Sequence, residues 1–230
     1  MQNLLKDTTS SAKTPLMCAK DLSFGYKKNN PVIKQLSLKV HKGEIIGISG
    51  ENGSGKSTLL KLLVGLLKPQ KGEITLHGKL GYSPQDILLF DNLTVMENFM
   101  VFGKGLNLNE QEIREQAKDI MERLKFTQYE NTLVKNLSGG TAQKTNFGIA
   151  LLGNPDMLIL DEPYQGMDYS SFTAFWEIQF DMRKQGKAII IVSHLIEDKE
   201  KFTHSLHLIN GKLQACTKED CPVCCEGTSC

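Results

Sequence analysis

Gly50-Glu51-Asn52-Gly53-Ser54-Gly55-Lys56-Ser57 is the stretch on which the reading of this chain turns. It fits the pattern G-x-x-x-x-G-K-[ST], which carries meaning only between a strand and a helix. Both flanks qualify: Glu44–Ser49 is an apolar, β-branched run that reads as a strand, and Ser57–Leu67 reads as a helix. In such a turn the glycines let successive backbone N–H groups face inward around an anion, and the helix N-terminus adds partial positive charge. Lys56 is placed to reach the β- and γ-phosphates of a nucleotide, and the Ser57 hydroxyl to help hold Mg²⁺. A plain glycine turn with a surface lysine is the competing reading, and it leaves the full spacing unused. The pattern does not choose between ATP and GTP.

Working outward, strand-like runs occupy Met17–Ser23, Val32–Val40, Glu73–His77 and Lys79–Ser83, after a polar leader over residues 1–15. Met157–Asp161 and Ala188–Ser193 read as further strands, with a helix near Tyr169–Gln185 between them and a hairpin over Ser205–Leu213 turning at Asn210-Gly211. Strands alternating with helices argue for an α/β chain with a mainly parallel sheet covered on both faces. The middle differs: Asn109 with Glu112 makes a helix cap and its reciprocal partner, followed by Ile113, Ala117, Ile120, Met121 and Leu124 at helical spacing. Residues 87–150 therefore read as a helical insertion.

The strand Met157–Asp161 ends in two acids, Asp161 and Glu162. Beside a phosphate loop, Asp161 suits a Mg²⁺ ligand and Glu162 a general base or orienter for an attacking water. Two solvated acids at a strand end would be the bland alternative.

The totals exclude several classes. With 27 basic and 26 acidic residues the net charge is +1, which gives no basic excess for nucleic acid. No run approaches the roughly 20 apolar residues of a membrane span, and the N-terminal stretch has no apolar core of signal-peptide length. The expectation is a cytoplasmic chain with any membrane role reached through a partner.

Asn136-Leu137-Ser138-Gly139-Gly140 resembles the signature peptide of the ATP-binding cassette family. The order along the chain also matches: phosphate loop, Gln85 in Tyr82-Ser83-Pro84-Gln85, signature, acidic pair, then His194. The resemblance covers residues 16–213. It implies a P-loop NTPase fold with an antiparallel β subdomain near the N-terminus and an inserted α-helical subdomain at about 87–150.

The resemblance also implies site roles. ATP would be held by Gly50, Glu51, Asn52, Gly53, Ser54, Gly55, Lys56, Ser57 and Thr58, with Tyr26 stacking on adenine and Phe24 as its competitor. Mg²⁺ would be held by Ser57, Gln85 and Asp161; Glu162, His194, Gln85 and Lys56 would serve hydrolysis. Ser138, Gly139 and Gly140 would contact the γ-phosphate bound by a second subunit in a head-to-tail dimer, with Asp168 in the segment crossing that interface. A Ser-Gly-Gly turn capping a helix is an ordinary structural reading of the same residues, and both can hold together. Thr141 stands where the family usually has Gln, so weaker or altered signature contacts are expected, and Ile149 stands where Arg is common, which is expected to alter the fine structure of that helix.

A single cassette, the size of the helical insertion and Pro163 after Glu162 favour the subunit powering a separately encoded membrane permease. Leu93-Thr94-Val95-Met96-Glu97-Asn98 resembles export-type members, and the chain would sit at the inner face of the cell membrane through that partner. The rival is a soluble cassette of the iron–sulfur assembly type. It draws support from the tail over residues 214–230, where Cys216, Cys221, Cys224, Cys225 and Cys230 would suit a soft metal such as Zn²⁺ or Cu(I).

Overall fold

The computed structural model describes residues 14–27, 30–193 and 199–215. His194 and the tail cysteines, with the soft-metal expectation they carry, lie outside these residues. Cys18 is buried and disulfide-bonded.

Two sheets organise the chain. The smaller is antiparallel, in the order β2-β1-β4, with β1 (Met17–Phe24), β2 (Ile33–Val40) and β4 (Lys71–Leu76). The larger has the order β5-β6-β7-β3-β8-β9 and comprises β3 (Ile45–Ser49), β5 (Leu80–Ser83), β6 (Met157–Asp161), β7 (Ala188–Val192), β8 (His204–Ile209) and β9 (Lys212–Ala215). All its pairings are parallel except β8 with β9. β3, β6 and β7 are buried along their whole length, which is why they read as near-continuous apolar runs. Their side chains alternate between two cores. Leu158, Leu160, Ile189 and Ile191 face one, and Met157, Ile159, Ile190 and Val192 face the other.

The helices are shorter than their periodicity suggests, and the backbone shows why. α1 (Lys56–Leu63) stops four residues before the expected Leu67 because Gly65 takes φ 79° and the Leu67 N–H bonds back to the Lys61 carbonyl at 2.9 Å. That is a left-handed helix stop, cheapest at glycine. The insertion is not helical throughout 87–150. It resolves into α2 (Val95–Gly105), α3 (Glu110–Arg123) and α4 (Gly139–Leu151), with single 3₁₀ turns at Thr127–Tyr129 and Val134–Asn136.

Before α2, residues 90–94 have backbone groups satisfied outside any helix. The fully buried Asn98 accepts from the Phe90 N–H at 2.8 Å and donates to the Thr94 carbonyl at 2.9 Å. Thr94–Glu97 and Asn109–Glu112 both form reciprocal capping boxes, the second as its spacing indicates. α5 (Tyr169–Lys184) is capped by Asp168, whose carboxylate accepts from the Ser171 N–H and hydroxyl.

Candidate active site

The parallel order β6-β7-β3 brings the C-terminal ends of three strands to one edge of the sheet. Gly50 follows β3 there, Asp161 and Glu162 end β6, and Ser193 follows β7. In open α/β sheets this edge is where ligands bind.

The loop is shaped for a close-approaching anion. Gly53 and Gly55 hold φ 81° and 105°, a region costly for any residue with a Cβ. A Cβ on Gly50 would lie 2.7 Å from Ser54 Oγ and 2.8 Å from the Leu208 carbonyl. Ser54 Oγ is itself buried and has no hydrogen-bond partner among the described residues. Lys56 is buried with its Nζ over the loop, donating to the carbonyls of Gly50 at 2.6 Å and Glu51 at 3.0 Å. A buried lysine parked on two carbonyls, beside an unpartnered hydroxyl and glycines at positive φ, fits a phosphate group. The cradle therefore fits the phosphates of a nucleotide, and Ser57 and Asp161, on the same cleft, offer the hard oxygen donors that Mg²⁺ takes.

A cleft of about 410 Å³ opens above the loop, and its lining includes Tyr26, Lys56, Ser57, Gln85, Asp161 and Glu162. With Val32 also on its wall, five separate segments converge on one volume. Tyr26 is 63% exposed, with its hydroxyl 3.3 Å from Thr58 Oγ1. Phe24 is instead packed on the core and meets Tyr26 edge-on, 5.1 Å between ring centroids. Of the two aromatics, only Tyr26 offers a face to the cleft.

The two acids are held in different ways. Glu162 sits at φ 47°, strained for a non-glycine residue, with its N–H bonded to the Val192 carbonyl at 2.9 Å. Ser193 Oγ donates to Glu162 Oε2 at 3.1 Å and so orients the carboxylate. Sequence reading missed Ser193. Its only signal was its place at the end of a buried strand. Asp161 is buried, and together with burial and Asp86 it pushes the neighbouring Tyr82 phenol up to about 12, burial being the largest cause.

The signature residues do not join this cleft. Ser138 and Gly139 are exposed at the start of α4. Ser138 caps that helix, its Oγ accepting from the Thr141 N–H at 3.3 Å and lying 2.9 Å from the Thr141 hydroxyl. Thr141, the departure from the family pattern, is therefore a buried partner of the signature serine. Gly140 faces the turn after Glu162: a Cβ there would lie 2.7 Å from the Gly166 carbonyl. Asp168 is exposed, and its bonds to the Ser171 hydroxyl and N–H hold its carboxyl well below the usual range.

Comparison with known proteins agrees with this geometry. Residues 33–165 match the family model described as ABC transporter. The chain is 34% identical over 178 residues to an uncharacterised ABC transporter ATP-binding protein of Methanocaldococcus jannaschii, covering 77% of this chain and 67% of that one. It is 32% identical over 198 residues to the ABC transporter ATP-binding protein NatA of Bacillus subtilis, covering 80% of each. A solved ATP-binding subunit of an ABC transporter superposes with a TM-score of 0.81 at 26% identity, covering 87% of this chain and 88% of that one. Against the much longer sub-family A members of rat and mouse, the chain spans only 11% and 12% of their length. The chain belongs to the ABC transporter family, among its ATP-binding subunits.

Proposed function

We propose that this chain hydrolyses ATP to drive a separately encoded membrane permease, as one half of a head-to-tail pair of ATPase subunits. The observation that carries this reading is the single cleft in which the phosphate loop, Tyr26, Gln85 and the acidic pair meet.

Each group has a task there. Tyr26 offers an exposed ring to the adenine. The loop N–H groups and Lys56 hold the phosphates, and Lys56 trades its two carbonyl partners for phosphate oxygens. Ser57 and Asp161 are the groups that would hold Mg²⁺, which when bound neutralises charge on the phosphates. Glu162, oriented by Ser193, takes up or directs the proton of the attacking water, and Gln85 helps place that water. His194 is assigned a γ-phosphate contact on resemblance. Most of the rate gain comes from positioning and electrostatics.

Pairing of subunits is supported by the exposed Ser138-Gly139 turn, which lies outside its own chain's cleft. A membrane partner is supported by the segment following Gln85, which exposes Ile87, Leu88 and Phe90 on a loop that Asn98 pins in place. No helix among the described residues is long and apolar enough to cross a membrane, so docking on a permease would hold the chain at the inner face of the membrane. Export is favoured by the likeness of Leu93–Asn98 to export-type members and by relatives that include an ATP-binding protein named for Nod factor export.

The test is to tag the chain in its native cells, trap the ATP-bound state with Glu162→Gln, extract in mild detergent and identify what co-purifies. A polytopic membrane protein is the expected result. Soluble partners alone, with the chain absent from membranes, would overturn the transporter reading.

A further inference from the structure

α4 starts at the signature turn and is buried along most of its length, yet four consecutive residues in its middle are polar: Gln143, Lys144, Thr145 and Asn146. A buried amide costs free energy unless it is bonded, so its partners show what it holds. Thr145 bonds back along its own helix to the Thr141 carbonyl at 2.9 Å. The two amides reach outward instead. Asn146 Nδ2 donates to Ser83 Oγ and to the Pro84 carbonyl, both at 3.1 Å. Gln143 Nε2 donates to the Pro163 carbonyl at 3.3 Å. Positions 143 and 146 share one helix face. Their partners are the residues just before Gln85 and just after Glu162.

The sheet order explains why such a tie is needed. β5 is an edge strand, paired only with β6 among the described residues. Among the described residues no strand on its other side fixes the chain where it leaves Ser83 toward Gln85. α4 lies across the face of β5 at this point: a Cβ on Gly81, which would point out of the sheet, would lie 2.1 Å from the Ala150 carbonyl, so helix backbone rests on strand backbone. Asn146 supplies the hydrogen bonds at the point of departure.

We propose that Asn146 is a positioning residue for Gln85, tying the strand end that carries it to the helix whose first turn is the signature. This rests on the ATPase reading above and adds to it a residue outside the lining of the cleft. A displacement of Gln85 by a fraction of an ångström slows the chemistry while leaving nucleotide contacts in place. It also gives α4 a direct mechanical link from the signature turn to the water-placing glutamine.

The test is steady-state ATP hydrolysis by the full chain as wild type, Asn146→Leu, Gln85→Ala and the double variant, with thermal unfolding measured alongside. Leucine keeps the volume and removes the donor. The expected result is a kcat loss of about tenfold for Asn146→Leu, with the KM for ATP moving less than about twofold. In the Gln85→Ala background the same substitution should have no further effect. Asn146→Ser, a smaller donor, should recover part of the rate, and it carries the same cycle if the leucine variant does not fold. The proposal is overturned by a wild-type kcat in Asn146→Leu. It is equally overturned by a loss that persists undiminished without Gln85, or by a serine variant no faster than leucine. A wild-type chain that binds ATP but hydrolyses none would sink the ATPase reading and this proposal with it, whereas active wild type with multiplicative losses sinks only the proposal.

Discussion

Asn98 offers the sharpest test of how the segment after Gln85 is held. Its side chain is fully buried and makes four hydrogen bonds with a loop that has no regular structure, three of them at 3.2 Å or shorter and a long one to the Leu93 carbonyl at 3.5 Å. Oδ1 accepts from the Phe90 N–H at 2.8 Å, and Nδ2 donates to the carbonyls of Thr94 at 2.9 Å and Phe90 at 3.2 Å. In Asn98→Leu the volume is nearly kept and every one of these bonds is lost. The carbonyls are not stranded, because the Thr94 oxygen keeps the Asn98 N–H and the Phe90 oxygen keeps the Leu93 N–H. The Phe90 N–H loses its partner outright. Three lost bonds and one orphaned donor, less the gain from a buried leucine, come to roughly 2–3 kcal/mol. For a chain of this size that lowers Tm by roughly 4–12 °C. Asn109→Ala, which removes an exposed cap, serves as a control worth about 1 kcal/mol. Thermal and urea unfolding of both variants read the difference. A shift for Asn98→Leu no larger than the control would refute the claim that this side chain anchors the loop. If the anchor is real, recovery of the membrane partner in pull-down should also fall, with ATP binding unchanged.

Two further outcomes follow from the site. Tyr26→Ala should weaken ATP binding about tenfold with little change in Tm, while Phe24→Ala should do the reverse, as read by nucleotide titration and thermal unfolding. Equal loss of affinity in both would dissolve the distinction between cleft and core aromatic. The Tyr82 phenol, raised to about 12 from 10.0, stays protonated in the folded chain after unfolded tyrosine has ionised. Its contribution to stability is therefore complete below pH ~10 and is lost as pH rises toward ~12. Unfolding titrations over that window should show a steeper fall for wild type than for Tyr82→Phe, and identical slopes would refute the assignment.

Reading along the chain reached the phosphate loop, the acidic pair and every strand of the main sheet, with ends displaced by a residue or two. These features are local. A glycine loop between strand and helix, or a buried strand ending in carboxylates, is written in neighbouring residues because backbone stereochemistry and the burial of a short run decide it. Where a local signal was overlooked, as at Gly65, the helix came out too long. Residues 87–150 were legible as helical in character only. Their division depends on Asn98 and on Lys125, which takes φ 57° where α3 ends, and neither signals its role by residue type.

Proximity is set by packing at long range. The family resemblance assigns Gln85 and Tyr26 to the site of Lys56, but nothing local in the residues brings them there, puts Ser193 on the Glu162 carboxylate, or hangs the Gln85 strand end from Asn146. Those contacts join segments tens of residues apart, and they exist because β3, β7 and β6 pair in that order while α4 packs across the face of β5. The sequence determined which chemical groups were present and the local shape of the phosphate loop. The packing of distant elements determined which of those groups face one another.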